Sequence, residues 1–249
     1  MRRMSGRGGV VYAVCFAALV ALFWCNGGFD PASWADFADN FHQNFIEDER
    51  YLMITDGLQA TLYMTFFSLL IGLTVGIALS VVRTAARGRG PLCALVNLYV
   101  AIMRGTPVMV QLLIWNFSIF ANARDVNTLH VAILAFGLNS AAYVAEIFRG
   151  GIDSVDHGQM EAARSLGLTY GQSMRRIILP QAVRNTVPML FNEFVSLLKE
   201  TSIAGYIGID DLTRAGQNIQ ALTMEHSQPL VMVALVVELE VAATHRELV

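Results

Sequence analysis

The most informative deficit in this 249-residue sequence is its shortage of charge. Only 15% of the residues are charged, whereas 55% are hydrophobic. A soluble domain of this length needs a polar coat, and about a quarter of the residues in such domains are charged. The composition therefore places the chain among membrane proteins. The formal net charge of −3 is too small to favour a nucleic-acid partner.

Lysine, cysteine and histidine are also sparse, and each shortage excludes a type of chemistry. Lys199 is the only lysine and follows Leu198, whereas a Walker A loop requires a lysine after a glycine. The chain therefore cannot hydrolyse ATP by a P-loop mechanism. The three cysteines form no CxxC pair and the five histidines no HExxH motif, so neither a disulfide framework nor a metal site is indicated. We assign no catalytic, cofactor-binding or metal-binding residue.

Six apolar segments are candidates for membrane-spanning helices, each of which needs roughly 20 mainly apolar residues. They are residues 10–24, 55–82, 91–121, 129–148, 187–207 and, less clearly, 230–244. The first segment resembles a signal peptide in length, but Phe23 and Trp24 stand where cleavage requires small side chains. We therefore favour a retained signal anchor over a cleaved signal peptide. In the second segment, Ser68, Gly72 and Gly76 form a small-residue stripe that favours close helix packing.

The basic residues indicate the orientation of the chain, because they are enriched on the cytoplasmic side of membrane proteins. With a cytoplasmic N-terminus, residues 26–50 lie outside and contain six acids and one base. The connection that contains Arg83, Arg87 and Arg89 then lies inside, as does the arginine-rich segment 150–186. The sequence predicts an all-α membrane protein. Residues 1–50 form an N-terminal anchor with a periplasmic loop, and residues 51–249 form a transmembrane domain with a cytoplasmic loop at about 150–186.

A polar segment, GQMEAARSLGLTYGQSMRRIILPQA at 158–182, interrupts the apolar chain. A capping pattern at Asp156 predicts the start of a short helix, and Gly167 predicts its left-handed end. A second capping box at Thr169 begins another helix, which we expect to end at Pro180. The segment is thus predicted to be a helix–turn–helix at the membrane surface.

The first of these short helices carries small residues that suit close contact. Ala162 and Ala163 have almost no side chain, so another surface could approach the backbone there, with Leu166 as an apolar edge. Residue types alone leave a second interpretation open, in which the loop is simply solvated and Glu161 pairs with Arg164.

The spacing in this segment resembles the EAA motif of ABC-importer permeases. Glu161-Ala162-Ala163 is followed by Gly167 and, after nine intervening residues, by Ile177 and Leu179-Pro180. Longer stretches, including AAYVAEIFRGGIDSVDHGQMEAARSLGL and YVAIMRGTPVMVQLL, resemble the polar amino-acid permease family of the His/Glu/Gln/Arg/opine type. This resemblance extends from about residue 57 to residue 228.

The resemblance implies a fold, a function and a set of partners. The implied fold is a five-span ABC type I importer permease core, here with an extra N-terminal anchor. The implied function is the ATP-driven import of polar amino acids across the inner membrane by alternating access. The implied partners are an ATPase subunit that binds ATP and Mg, a periplasmic substrate-binding protein, membrane lipid and a second permease subunit in a homo- or heterodimer. The implied ATPase-coupling residues are Gly158, Glu161, Ala162, Ala163, Leu166, Gly167, Ile177, Leu179 and Pro180.

The last span departs from the family pattern. Only residues 230–237 are uninterrupted apolar residues before Glu238 and Glu240. Two carboxylates within one span would cost several kcal/mol, roughly 2.5–3.5 kcal/mol each near the bilayer centre, unless they are paired or protonated. Insertion of this span, and with it transport, is therefore an open question at this stage.

Charged and polar groups near the apolar runs are candidates for lining a substrate pathway. They are Arg104, Thr106, Glu193, Lys199 and Glu200. For Arg104, contact with substrate and pairing with a neighbouring helix are equally open. Lys199 and Glu200 are adjacent and cannot share one helix face, and a contact between permease subunits is slightly favoured over a pathway role for them. Glu146 is interpreted as an interfacial side chain.

Two other classes of protein remain as alternatives. An ion-coupled secondary transporter of small polar solutes should show paired broken helices in two repeated halves, but the RGTP sequence at 104–107 has no second copy. A membrane enzyme would need a cluster of His, Asp or Glu at catalytic spacing, and the intramembrane charges do not form one.

Overall fold

The computed structural model describes residues 39–85, 90–122, 126–224 and 228–246, and within these ranges the chain forms helices and no strands. The all-α prediction is therefore confirmed for the described chain. The predicted N-terminal anchor at 10–24 lies outside the described residues.

Nine α-helices form the described chain, and we number them in chain order. They are α1 Tyr51–Ala85, α2 Pro91–Gly105, α3 Val108–Ile114, α4 Thr128–Asp153, α5 His157–Ser165, α6 Tyr170–Ser173, α7 Leu179–Glu200, α8 Leu212–Thr223 and α9 Gln228–Arg246. π-Helical segments span His42–Ile46, Trp115–Ile119 and Met174–Ile178, and 3₁₀ segments span Glu47–Glu49 and Thr201–Ile207.

The helices that can cross a membrane correspond only in part to the predicted spans. Among the described residues, α1 and α4 are long and apolar enough to span a bilayer, in agreement with the predicted spans 55–82 and 129–148. The bent pair formed by α2 and α3 makes a third span if it is counted as one. Helix α7 begins earlier than the predicted span 187–207 and is followed by the 3₁₀ segment. The five-span core stays a prediction.

The predicted span 91–121 is broken, because the chain bends by 105° between α2 and α3. Pro107 has no backbone N–H and disfavours a helical conformation at the residue before it. Thr106 is accordingly extended, with φ −112° and ψ 141°. The RGTP sequence therefore marks a break in the second helix of the transmembrane domain.

Two buried amides satisfy the backbone carbonyls that this break exposes. The Gln111 side chain donates from Nε2 to the carbonyl oxygens of Met103 (2.8 Å) and Thr106 (3.0 Å). Asn139 of α4 donates from Nδ2 to the same Met103 carbonyl (3.2 Å) and to Oε1 of Gln111 (3.0 Å). Since an unpaired buried carbonyl costs free energy, these amides hold the break in one geometry and fix it against α4.

The small-residue stripe of α1 packs against α4, as the sequence predicts. A Cβ on Gly76 would lie 2.7 Å from Cβ of Val144 and 2.8 Å from the carbonyl oxygen of Ala141. One turn earlier, a Cβ on Gly72 would lie 2.8 Å from Oγ of Ser140. Only glycine permits this approach, so the two long helices form the centre of the fold.

The last two helices form a second apolar cluster with the start of the described chain. Buried residues of this cluster are Phe45, Ile54, Leu212, Ala215, Ile219 and Val233. Helix α8 is fixed to α1 by a hydrogen bond from the Leu212 N–H to Oγ1 of Thr61 (3.1 Å). Helix α9 continues through the atypical C-terminal stretch, and Glu238 is exposed on it.

We call the hydrogen bonds of Gln111 and Asn139 at the helix break the amide clamp, and they lead to a stability prediction. Replacing Gln111→Leu leaves the Met103 and Thr106 carbonyls without their strongest donor, at a cost of about 1–3 kcal/mol. We expect a lower thermal unfolding midpoint for the purified subunit. The control is Gln59→Leu on the exposed face of α1, which we expect to leave the midpoint almost unchanged. Equal midpoints for the two variants would show that the clamp does not stabilise the break.

Candidate functional site

The polar segment forms the helix–turn–helix predicted from its capping residues. Asp156 caps α5 by accepting a hydrogen bond at Oδ1 from the Gly158 N–H (2.7 Å). The helix ends where Gly167 adopts φ +85°, a left-handed conformation that favours glycine. The N–H of Leu168 then bonds to the Ala163 carbonyl at 3.2 Å and closes the turn.

The second helix begins as predicted but does not end where the sequence indicated. Thr169 and Gln172 form a reciprocal capping box at the start of α6. The helical chain then continues through the π segment Met174–Ile178 into α7, so the expected end at Pro180 is wrong. Pro180 lies in the first turn of α7, where a missing N–H is tolerated.

The outer face of α5 is open to solvent. Gly158, Glu161, Ala162 and Gly167 are exposed, and the side chain of Leu166 is 83% exposed although it is apolar. We name these residues and the helix that carries them, residues 156–168, the docking loop. Within the described chain Glu161 forms no ion pair with Arg164, so the pairing expected for a merely solvated loop is not seen.

The sequence predicts that Ala163 belongs to the contact face of α5, and the structure does not place it there. Its side chain is only 1% exposed, so it points into the protein and cannot form part of an open contact surface. Ile177 is half-buried beneath the loop, while Leu179 and Pro180 are exposed at the start of α7. Of the motif positions, Ala163 is buried and Ile177 half-buried, whereas the others are exposed.

An apolar anchor fastens the docking loop to the rest of the protein. Val155, Ile178 and Ala182 form a buried cluster between the loop and α7. Beside this cluster, the Asn185 side chain donates from Nδ2 to Oγ of Ser154 (2.9 Å). Met160 of α5 packs against this cluster, so the loop is held against the π segment that leads into α7.

The contact between α4 and α7 is closest at Gly151. A Cβ at this position would overlap the Cγ2 methyl of Thr186 and lie 3.1 Å from the Ala182 carbonyl oxygen. Thr186 is itself held by a hydrogen bond from Oγ1 to the Val183 carbonyl (2.8 Å). The base of the loop thus depends on a glycine at residue 151.

A charge cluster centred on Glu146 was missed by the sequence analysis. The Glu146 carboxylate pairs with Arg83 of α1 (2.5 Å), Arg149 of α4 (3.0 Å) and Arg104 of α2 (3.6 Å). Arg149 also pairs with Asp153 (2.6 Å). Glu146 is thus an ion-paired junction of three helices and not a free interfacial side chain. Arg104 thus pairs with a neighbouring helix, and its contact with substrate stays a prediction.

The candidate pathway residues are only partly brought together. Glu193 accepts a hydrogen bond at Oε1 from Oγ of Ser140 (2.7 Å), and both Arg104 and Glu200 are close enough to interact with Glu193 electrostatically. Thr106 instead accepts a hydrogen bond at Oγ1 from Gln111 (2.6 Å). Lys199 is exposed and forms no ion pair with a residue that the structure describes.

The described chain thus combines a helical core, a broken second helix and an exposed polar loop that packs on a buried apolar cluster. The chain belongs to the family described as binding-protein-dependent transport system inner membrane component, whose family model matches residues 68–239. It is therefore an integral inner-membrane permease subunit of an ATP-driven ABC importer.

Two named relatives and two solved structures illustrate this membership. The chain is 38% identical over 184 residues to the arginine transport system permease protein ArtQ of Bacillus subtilis, covering 74% of this chain and 83% of the relative. It is 37% identical over 186 residues to a putative glutamine transport system permease protein GlnP of Rickettsia prowazekii, covering 74% and 84%.

The crystal structure of an amino acid ABC transporter with histidines is 35% identical, with a TM-score of 0.75 and coverage of 81% of this chain and 94% of that chain. The inward-facing MetNI methionine ABC transporter, at 24% identity, shares the fold with a TM-score of 0.63 over 79% of this chain and 94% of that chain.

The neighbouring glycines at the base of the docking loop permit a matched test. Gly151→Ala forces Thr186 to move and should destabilise the subunit by about 1–3 kcal/mol, a usual cost of overpacking. Nothing lies within 4 Å of a Cβ on Gly150, so Gly150→Ala should be neutral or stabilising by up to about 1 kcal/mol. The thermal unfolding midpoint of each variant measures the difference. If both substitutions behave alike, the close α4–α7 contact does not exist.

Proposed function

We propose that this permease imports a polar amino acid and that its docking loop seats in a groove of a separate ATPase subunit. The observation that carries the docking proposal is the contrast within the loop. Its outer face exposes Glu161, Ala162 and Leu166, while its base is held by the buried cluster of Val155, Ile178 and Ala182. A small, exposed, partly apolar face on a fixed base suits contact with another protein.

The proposed mechanism transmits force from the ATPase to the transmembrane helices. ATP and Mg bind to the ATPase subunit, and closure of two such subunits displaces α5. Because α5 is fastened to α4 and α7, this displacement moves both helices, and the ion pairs of Glu146 carry it to α1 and α2. Alternating access to the substrate pathway follows from this movement.

The proposed arrangement in the membrane follows the distribution of basic residues. The N-terminus and the docking loop are cytoplasmic, residues 1–50 form an anchor and a periplasmic loop, and a periplasmic binding protein delivers substrate from the outer side. A second permease subunit, identical or related, completes the pathway. Exposed apolar side chains on α2 at Leu92, Leu95 and Leu98 provide surface for lipid or for that second subunit.

The nature of the substrate is supported by the relatives and by the charges inside the fold. The names of the relatives specify arginine and glutamine transport. Arg104 and the two carboxylates of Glu193 and Glu200 place both signs of charge near one region of the core, which suits a substrate that carries an ammonium and a carboxylate. An ion-coupled secondary transporter should contain paired broken helices, whereas the described chain contains one bent pair.

Two substitutions in the docking loop test the proposal. Glu161→Lys reverses a charge on the exposed face, and Gly167→Pro replaces a residue at φ +85° with one fixed near −65°. We expect both variants to insert in the membrane but to lose substrate-stimulated ATPase activity in the assembled complex. The measurement is ATP hydrolysis by the reconstituted complex with and without loaded binding protein.

The matched control lies on α6, just after the docking loop. Gly171 does not have a positive φ, and a Cβ there would meet nothing within 4 Å. Gly171→Ala should therefore keep the stimulated activity. Full stimulation in both Glu161→Lys and Gly167→Pro would refute the docking assignment, and uptake that survives ATP depletion would favour a secondary transporter.

A further inference from the structure

A cavity of about 460 Å³ lies beside the base of the docking loop and has no role in the transport mechanism described above. Its walls come from the end of α1, the start of α2, the end of α4 and the start of α6. Polar side chains that line it are Ser80, Arg83, Thr84, Asn97, Arg149, Asp153 and Tyr170. The cavity therefore joins four helices at the level of the Glu146 charge cluster.

Two hydroxyl groups in the cavity wall lack a protein partner. Ser80 is only 6% exposed, and its hydroxyl makes no hydrogen bond with any residue that the structure describes. Thr84, one helical turn further along α1, likewise has no hydrogen-bonded partner in that part of the chain. Thr84 is half-buried, and both hydroxyl groups can donate to a ligand in the cavity that accepts hydrogen bonds.

The charge around the cavity is positive. The cluster contains the guanidinium groups of Arg83, Arg104 and Arg149 against the carboxylates of Glu146 and Asp153. Arg83, Arg149 and Asp153 line the cavity directly, so the two guanidinium groups in its wall outnumber the single carboxylate. Each guanidinium has five N–H donors, more than these ion pairs use. The sequence places two further arginines, at 87 and 89, in the connection between α1 and α2. An anionic, oxygen-rich ligand matches these donors, and phosphate suits the planar guanidinium group best.

The position of the cavity relates it to the membrane surface. In the proposed orientation, the end of α1 and the start of α2 lie at the cytoplasmic leaflet. Val81, Leu92 and Leu95 on the same helices are 59%, 58% and 63% exposed, and such apolar surface suits acyl chains. Basic pockets between transmembrane helices on this side are known to bind lipid head groups.

We propose that this cavity binds the phosphate of a phospholipid head group from the cytoplasmic leaflet. Arg83 and Arg149 contact the phosphate oxygens, and the hydroxyl groups of Ser80 and Thr84 donate to the same group. The lipid thereby bridges α1 and α2 to the base of the docking loop at Tyr170. The assignment of the site to the cytoplasmic leaflet rests on the proposed function, whereas the binding of a phosphate group in the cavity does not.

Lipid retention by the assembled complex tests the site. The permease is assembled with its ATPase in bilayers of phosphatidylcholine that contain phosphatidylglycerol, and native mass spectrometry measures the phosphatidylglycerol retained after extraction. Arg83→Gln removes a charge, whereas Ser80→Leu fills the cavity and leaves every charge in place. Each should lower retention by about tenfold or more, the effect of losing one charge-assisted hydrogen bond.

The controls separate the site from general charge effects and from docking. Arg104 pairs with the same Glu146 carboxylate but does not line the cavity, so Arg104→Gln should retain phosphatidylglycerol. Glu161→Lys should also retain it, since that variant concerns the ATPase contact alone. If Arg83→Gln does not assemble, Thr84→Val and Ser80→Leu together provide the test. Thr84→Val removes a hydroxyl group with little change of volume.

Two outcomes would overturn the proposal. Retention equal to that of the unmodified complex in Ser80→Leu and Arg83→Gln would show that the retained lipid is bound elsewhere. Inorganic phosphate added to the delipidated complex provides the second arm. If it binds with the same dependence on Arg83 and Ser80 and blocks the return of phosphatidylglycerol, the ligand is a soluble anion and the lipid assignment fails.

Discussion

The apolar anchor beneath the docking loop is the constraint on which the rest of the structure depends. Val155, Ile178 and Ala182 are buried there, and Gly151 lets α4 approach α7. Without this anchor, α5 would be a short helix held only by the chain on either side of it, and it could move without moving any other helix. With it, the three-residue connection from α4 leaves little freedom, and Met160 of α5 packs on the cluster that adjoins α7. In the proposed mechanism, force from the separate ATPase subunit enters the transmembrane domain through this anchor.

Polar groups within the transmembrane domain are held in pairs or clusters, and this gives the helices their fixed positions. Gln111 and Asn139 satisfy the carbonyls at the break between α2 and α3, and Glu146 joins guanidinium groups from three helices. Unpaired, each of these groups would be costly in a medium without water. Because the partners lie on different helices, a displacement that separates two helices must also break or exchange these contacts. The contacts that stabilise the fold therefore also determine the free-energy cost of each helix movement.

Local features of this protein could be predicted from the sequence because they are decided within a few residues. Asp156, Gly167 and the Thr169–Gln172 pair specify caps through neighbouring backbone groups, and long apolar runs specify α1 and α4. Features that depend on distant contacts could not be predicted. Glu146 and Arg83 are 63 positions apart, so their pairing leaves no local pattern, and the inward direction of Ala163 depends on the element packed beneath α5. The sequence predicts a helix end at Pro180, but the helical chain continues past it. The π segment Met174–Ile178 ends just before Pro180, which therefore falls in the first turn of α7, where a missing N–H is tolerated.

Site-specific photo-cross-linking from the docking loop tests the central claim most directly. A photoreactive residue is placed at Leu166, which is 83% exposed, and a second at Phe117, which is 61% exposed near the predicted outer turn. In the assembled complex, the account predicts that residue 166 cross-links to the ATPase subunit and that residue 117 does not. A cross-link from residue 166 to the periplasmic binding protein, or none to the ATPase in a complex that hydrolyses ATP, would contradict it.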